Sequence, residues 1–156
     1  MFPPNKSELN EFCNSLSDEK SYFNVTFQRM MNSIWIIPEY QDGKLIAAAG
    51  VEKKYGIVRS WAIVKKEHWK KGVGAKLIAK RFEKCRKEKT CHVLLGIIDE
   101  KNIPSIKALT KQGYILVGKK GNLLYYLQAI SPLGRGMIPV IKILFFSLLI
   151  IDKFRK

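Results

Sequence analysis

The chain has 156 residues, 47% of them hydrophobic and 26% charged, a length and composition that exclude a multidomain assembly and intrinsic disorder as starting expectations. Lys and Arg number 28 against 13 Asp and Glu, a formal net charge of +15. That excess favours an anionic partner: a nucleic acid, a membrane surface or a phosphorylated small molecule.

The opening "MFPPNKSELNEF" lacks a basic region followed by an apolar run, so no secretory signal is expected. "SELNEFCNSL" sets Leu9, Phe12, Cys13 and Leu16 at helical spacing, and "NVTFQRMMN" reads as a second short helix. The period then changes. "SIWIIPEY", "KLIAAAGVEKK" and "IVRSWAIVKK" are rich in β-branched and aromatic residues and are separated by "QDG" and "KYG", which predicts a three-strand meander. After Gly74 the helical period returns, with Leu77, Ile78, Phe82 and Cys85 on one face and Lys80, Arg81, Lys84 and Lys87 largely elsewhere. "CHVLLGII" reads as a strand buried on both faces. "NIPSIKALTKQG" reads as a helix capped near Asn102, with Pro104 in its first turn and Gly113 past its end. Tyr114 to Ile130 supplies two last strands around "KKGN". The order predicts a mixed α/β layer, in which the strand–helix–strand unit from Ile57 to Ile98 is a parallel, right-handed crossover.

The join "EHWKKGVGAKLIAKRF", Glu67 to Phe82, carries the clearest functional signal. A glycine turn between strand and helix exposes N–H groups that no intrahelical carbonyl can satisfy, and the helix dipole adds partial positive charge there. Gly72 and Gly74 would let a diphosphate approach the main chain, and Lys70, Lys71 and Lys76 would add charge around it. The plainer alternative is that the glycines only turn the chain. Two phosphate loops fail on spacing: a Walker loop needs GxxxxGK and Ser or Thr, and a dinucleotide fingerprint needs a small residue where Leu77 stands and an acid near Thr90 to His92.

From about Ser60 to Tyr114 the chain resembles the GNAT superfamily of acyl-CoA-dependent N-acetyltransferases. "WKKGVG" matches both glycines of that family's Q/R-x-x-G-x-G/A motif, with Trp69 in the Gln/Arg position. "NIPSIKALTKQGY" is similar to the family's second element, with Asn102, Ser105, Gly113 and Tyr114 in register. The resemblance implies a central mixed sheet with a splayed parallel strand pair flanked by helices, an α/β fold of the α+β kind. It implies a domain over residues 1–130. It also implies acetyl-CoA as cosubstrate, held at its pantetheine arm by Ala62, Ile63 and Val64, at its diphosphate by Lys70, Lys71, Gly72, Val73, Gly74 and Ala75, and from the opposite side by Asn102 and Ser105. Eleven Lys and Arg against three acids between Lys65 and Lys89 suit a phosphorylated cofactor.

In such a transfer a neutral amine attacks the thioester directly, with no metal or protein nucleophile. Only two histidines, His68 and His92, are present, without an HExxH pattern, so no metal site is expected. Cys13, Cys85 and Cys91 form no CxxC pair, which suggests a reducing cytoplasm, and Cys85 and Cys91 read as core. Leu109 stands where many relatives carry a thiolate-protonating tyrosine, and Val58 where some carry a glutamate base. Tyr114, Glu52 and His68 are the substitute candidates, with Glu67, Tyr125 and Tyr126 behind them.

Residues 131–156 form a second segment. "SPLGRG" reads as a linker, and Met137 to Ile151 is an apolar run too short to span a bilayer comfortably. With Arg135, Lys142, Lys153, Arg155 and Lys156 beside it, Met137 to Lys156 reads as a peripheral hold on the inner face of the membrane. A helix packed on the domain or across a homodimer is the alternative. The leading expectation is acetyl transfer to a small-molecule or peptide amine. A non-catalytic acyl-CoA-binding or membrane-surface module is the alternative, and no specific nucleic-acid signature accompanies the charge.

Overall fold

The computed structural model describes residues 4–16, 26–54 and 57–154, with side chains beyond Leu144 and at Lys54 left aside. Tyr55 and Gly56 of the expected "KYG" turn, and Arg155 and Lys156 of the basic tail, lie outside the described residues. The strands form a six-stranded mixed sheet, with one parallel pair, in the order β1-β2-β3-β4-β6-β5. The chain divides into two compact units, Met1–Lys84 and Cys85–Lys156.

The first unit opens with α1 (Lys6–Ser15). Its start is specified by a reciprocal cap: the Glu8 amide donates to the Asn5 side chain, and the Asn5 amide donates to the Glu8 carboxylate, both at 2.9 Å. One face of α1 buries Leu9, Phe12 and Cys13. The short α2 (Phe27–Met31) starts at Thr26, whose hydroxyl accepts from the Arg29 amide, and it buries Met30 against the same cluster.

Strands β1 (Ser33–Gln41), β2 (Lys44–Lys54) and β3 (Ile57–Val64) make the predicted antiparallel meander. The two-residue turn between β1 and β2 has positive φ at Asp42 and Gly43, the backbone that best matches strand twist. Strand β2 is covered on both faces. Ala48 packs with the α1 and α2 residues and with Trp61 and Ile63. Ala47 and Ala49 pack with Leu77 of α3 (Val73–Lys87) on the other face. The alternation follows from the two-residue period of a strand.

Polar contacts line α3 up along β1. Lys76 and Lys80 donate to the two oxygens of Glu39 at 2.6 and 2.9 Å, and the Lys84 ammonium lies 5.4 Å from the Trp35 ring centroid. Those lysines hold the Glu39 carboxyl below its ordinary pKa, Lys76 most strongly. Arg81 differs from the sequence expectation. It is not on the solvated face but 2% exposed, four residues from both Leu77 and Cys85 on the apolar stripe, where its Nη1 donates to the Trp61 carbonyl at 2.8 Å.

In the second unit β4 (Val93–Asp99), β5 (Ile115–Lys120) and β6 (Leu123–Ala129) are antiparallel, with β6 between the others. Helix α4 (Ile103–Lys111) begins as expected: Asn102 caps it by accepting from the Ser105 amide, and Pro104 sits in the first turn. Gly113, at φ +81°, follows its end.

Helix α5 (Pro132–Phe154) begins inside the segment read as a linker. The reason is packing. A Cβ built on Gly134 would lie 1.9 Å from the His92 carbonyl oxygen, so the absent side chain lets the helix press directly on the backbone ahead of β4. Ile138 then joins Val117 and Leu127 in the unit's core. Among the described residues no helix is long and apolar enough to cross a membrane.

Candidate functional site

The glycine turn follows β3 through a short 3₁₀ turn at Lys66–His68. Lys70 adopts φ +61° and Gly72 φ +79°, so the reversal depends on two left-handed residues, only one of them free of the Cβ penalty. The helical ladder opens with the Lys76 amide donating to the Gly72 carbonyl at 3.1 Å. The amides of Val73, Gly74 and Ala75 precede that bond and have no intrahelical acceptor.

The two glycines differ in why they are glycine. Gly72 requires its conformation, and a Cβ there would meet nothing within 4 Å. Gly74 is a helical residue without positive φ, and a Cβ there would meet only Val64 Cγ2, at 3.6 Å. Nothing among the described residues excludes a methyl group at Gly74, although glycine inside a helix costs about 0.5–1 kcal/mol relative to alanine.

Charge around the turn is smaller than the sequence suggests. Lys76 is committed to Glu39, which leaves Lys70 and Lys71, both exposed, beside the glycines. Trp69, 37% exposed, donates its indole N–H to the Val64 carbonyl at 2.7 Å. This contact ties the turn to the last residue of β3 and explains how a ring can stand where Gln or Arg was expected. No pattern in the sequence announces the bond. Arg81 was also missed there, though its spacing from Leu77, Ile78 and Cys85 would have found it.

Ala62 and Val64 are half-buried on the α3 face of β3, and Ile63 is buried on the other. In the second unit Asn102 is half-buried with its side-chain oxygen engaged by the Ser105 amide at 3.3 Å. Its amide nitrogen is the part of the side chain that this cap leaves for another acceptor.

The acid and base candidates separate by environment. Leu109 and Val58 are buried at 3% and 8% exposure, so apolar groups fill the positions at which the family resemblance led to an expected acid and base. Glu52 is buried, with Arg29 Nε at 2.6 Å and Arg59 Nε at 3.8 Å. Burial lowers the Arg29 pKa, and Glu52 pulls it back up. Its carboxylate is thereby engaged as a counterion. Tyr114 and Tyr126 are buried and Tyr125 is half-buried. His68 is half-exposed in the 3₁₀ turn, and Glu67 beside it is exposed. Cys85 is buried as expected, but Cys91 is only half-buried, its thiol pKa lowered by a hydrogen bond with Cys85.

A protein-family model described as the acetyltransferase (GNAT) family matches residues 6–114. Among solved structures the chain is similar to a ribosomal-protein-alanine N-acetyltransferase from Brucella melitensis, at 19% identity and a TM-score of 0.66, covering 82% of this chain and 98% of that one. It is also similar to a Salmonella typhimurium protein described as an acetyltransferase and solved with its cofactor acetyl-CoA, at 16% identity and a TM-score of 0.66, covering 83% and 92%. A GNAT-family acetyltransferase from Streptococcus pneumoniae matches at 15% identity and a TM-score of 0.67, over 81% and 93%. A search of curated protein sequences finds no match. At these identities the likeness is one of fold, and it agrees with the mixed sheet expected from the sequence.

Proposed function

Because the chain belongs to the acetyltransferase (GNAT) family, we propose that it transfers an acetyl group from acetyl-CoA to a primary amine by direct attack. The observation that carries the cofactor assignment is Gly74, a helical glycine that no atom of the described residues requires, among three amides without intrahelical acceptors. In this reading the main chain from Lys71 to Ala75 receives the diphosphate, and Lys70 and Lys71 add charge. The segment Ala62 to Val64 receives the pantetheine arm by strand-like hydrogen bonds. Asn102 and Ser105 are proposed cofactor contacts as well.

Bound acetyl-CoA supplies an activated thioester. The acceptor nitrogen gains the acetyl carbon and loses a proton, while the C–S electron pair leaves with sulfur, which takes a proton up. Main-chain N–H groups of β3 would stabilise the developing oxyanion. Of the three leading proton-transfer candidates, Glu52, Tyr114 and His68, only His68 is not buried. Glu52 would first have to leave Arg29, and Tyr114 is buried.

The buried apolar side chains of Leu109 and Val58 favour one second reading, an acyl-CoA sensor without catalysis. Thiol release from acetyl-CoA over a panel of primary amines, run beside calorimetric binding of acetyl-CoA, separates the two. Binding with release supports the transferase and binding without release the sensor. Absence of binding sinks both. The cytoplasm is the proposed location. For α5 the two proposed covers are an anionic leaflet at the inner face of the membrane and a second copy of the chain, which its exposed face distinguishes.

A further inference from the structure

Helix α5 carries two apolar faces, and among the described residues only one of them is covered. Ile138, 8% exposed, and the half-buried Ile141 pack into the core of the second unit. Leu133, Met137, Val140 and Leu144 are 61%, 38%, 57% and 58% exposed, and Ile143 is 67% exposed. The first four follow one another at intervals of four, three and four residues. That is the a/d spacing of a helix that receives another helix along a seam.

The neighbours of this stripe argue for which partner it takes. At about 100° per residue, Ile143 and Gly136 lie on one flank of the stripe and Ile141 on the other, while Arg135 and Lys142 fall about half a turn away. A helix lying on an anionic leaflet wants its cations at the flanks, where they reach headgroups as the apolar face sinks. Here the flanks are apolar or small, and the cations face away from the stripe. A second helix of the same kind meets no charge in the seam, and Gly136 gives it room, since nothing lies within 4 Å of a Cβ built there.

Area points the same way. The five exposed side chains offer about 100 Å² each, or about 1,000 Å² over two copies, which reaches the size at which an interface becomes specific. A two-fold contact uses one patch twice, so no further complementary surface is needed.

We propose that the stripe Leu133, Met137, Val140 and Leu144 of α5 is a homodimer interface, in which the stripes of two copies pack against each other about a two-fold axis. The assignment stands apart from acetyl transfer. Two copies of a chain with net charge +15 repel each other through water, and salt screens that repulsion while leaving apolar burial in place. Added salt therefore strengthens this dimer, whereas it weakens adhesion to anionic lipid.

The test is analytical ultracentrifugation of the full chain from low to moderate NaCl, beside flotation with vesicles of phosphatidylglycerol and phosphatidylcholine. The expected result is a dimer at micromolar concentration that tightens with salt. It should be lost by tenfold or more in affinity in Val140→Glu and in Met137→Gln, and kept in Lys142→Gln. Circular dichroism and acetyl-CoA binding identical to the parent show that both seam variants are folded. A chain that stays monomeric at every salt concentration overturns the proposal. So does vesicle binding that falls with salt and disappears in the same two variants without any dimer.

Discussion

Replacing Gly74 with alanine should make the protein more stable and a poorer ligand for acetyl-CoA, two effects that rarely travel together. The added methyl group meets Val64 Cγ2 at 3.6 Å, an ordinary contact, and nothing else within 4 Å. Alanine gains about 0.5–1 kcal/mol over glycine within a helix. For a chain of this size that raises the melting temperature by roughly 1–4 °C. The same methyl group occupies the space through which a diphosphate oxygen would approach the amides of Val73, Gly74 and Ala75. Loss of one such charge-assisted hydrogen bond costs about 1.5–3 kcal/mol, or roughly ten- to a hundredfold in affinity. Gly74→Glu adds bulk and negative charge and should abolish binding. Gly72→Ala is the contrast: its φ of +79° makes a side chain cost about 1–2 kcal/mol of stability. Differential scanning fluorimetry and isothermal titration with acetyl-CoA read both quantities on the same samples. A Gly74→Ala protein that is more stable and binds acetyl-CoA with parental affinity would remove the diphosphate from this turn.

Gly134→Ala should lower the melting temperature by several degrees, since its Cβ would fall 1.9 Å from the His92 carbonyl oxygen and overpacking costs about 1–3 kcal/mol. Gly136→Ala, with open space at its Cβ, should leave it unchanged or slightly higher. Trp69→Phe removes the indole donor to Val64 and should cost about 0.5–1.5 kcal/mol together with a weaker grip on acetyl-CoA. Unchanged melting and binding would show that the indole bond contributes nothing. Glu39 has a folded-state pKa below its ordinary value. Its ion pairs therefore stabilise the fold above the unfolded carboxylate pKa, and the contribution is lost as pH falls through the lower, folded value. Glu39→Gln should melt earlier than the parent at pH 7, with the gap closing as the solution is acidified through that window. A gap that stays constant with pH would assign the loss to something other than charge.

What the sequence makes legible is whatever repeats locally. The amphipathic period of α1, the punctuated apolar runs of the meander and the Asn102, Pro104 and Gly113 signals of α4 all concern neighbours a few residues apart, and the structure has them in place. The contacts that tune the candidate site join distant residues. Lys76 loses its apparent availability to Glu39, thirty-seven positions away, and Glu52 is held by Arg29, twenty-three positions away. Neither pairing leaves a mark in composition or spacing. Arg81 shows a different failure, because the residue type argued for solvent while its position argued for the core. Burial with the Trp61 carbonyl as acceptor satisfies both. At "SPLGRG" the glycines suggested a loose connection; Gly134 instead serves close approach of a helix to backbone.

The fastenings of α3 bear on how its first turn would meet a ligand. Lys76, Lys80 and Lys84 fix the helix along β1, and Arg81 fixes it to β3, so its register against the strands is set before anything arrives. A loop that must order itself around a diphosphate gives up affinity to its own lost freedom. On the proposed diphosphate site, this turn would meet its ligand as the end of a bolted beam.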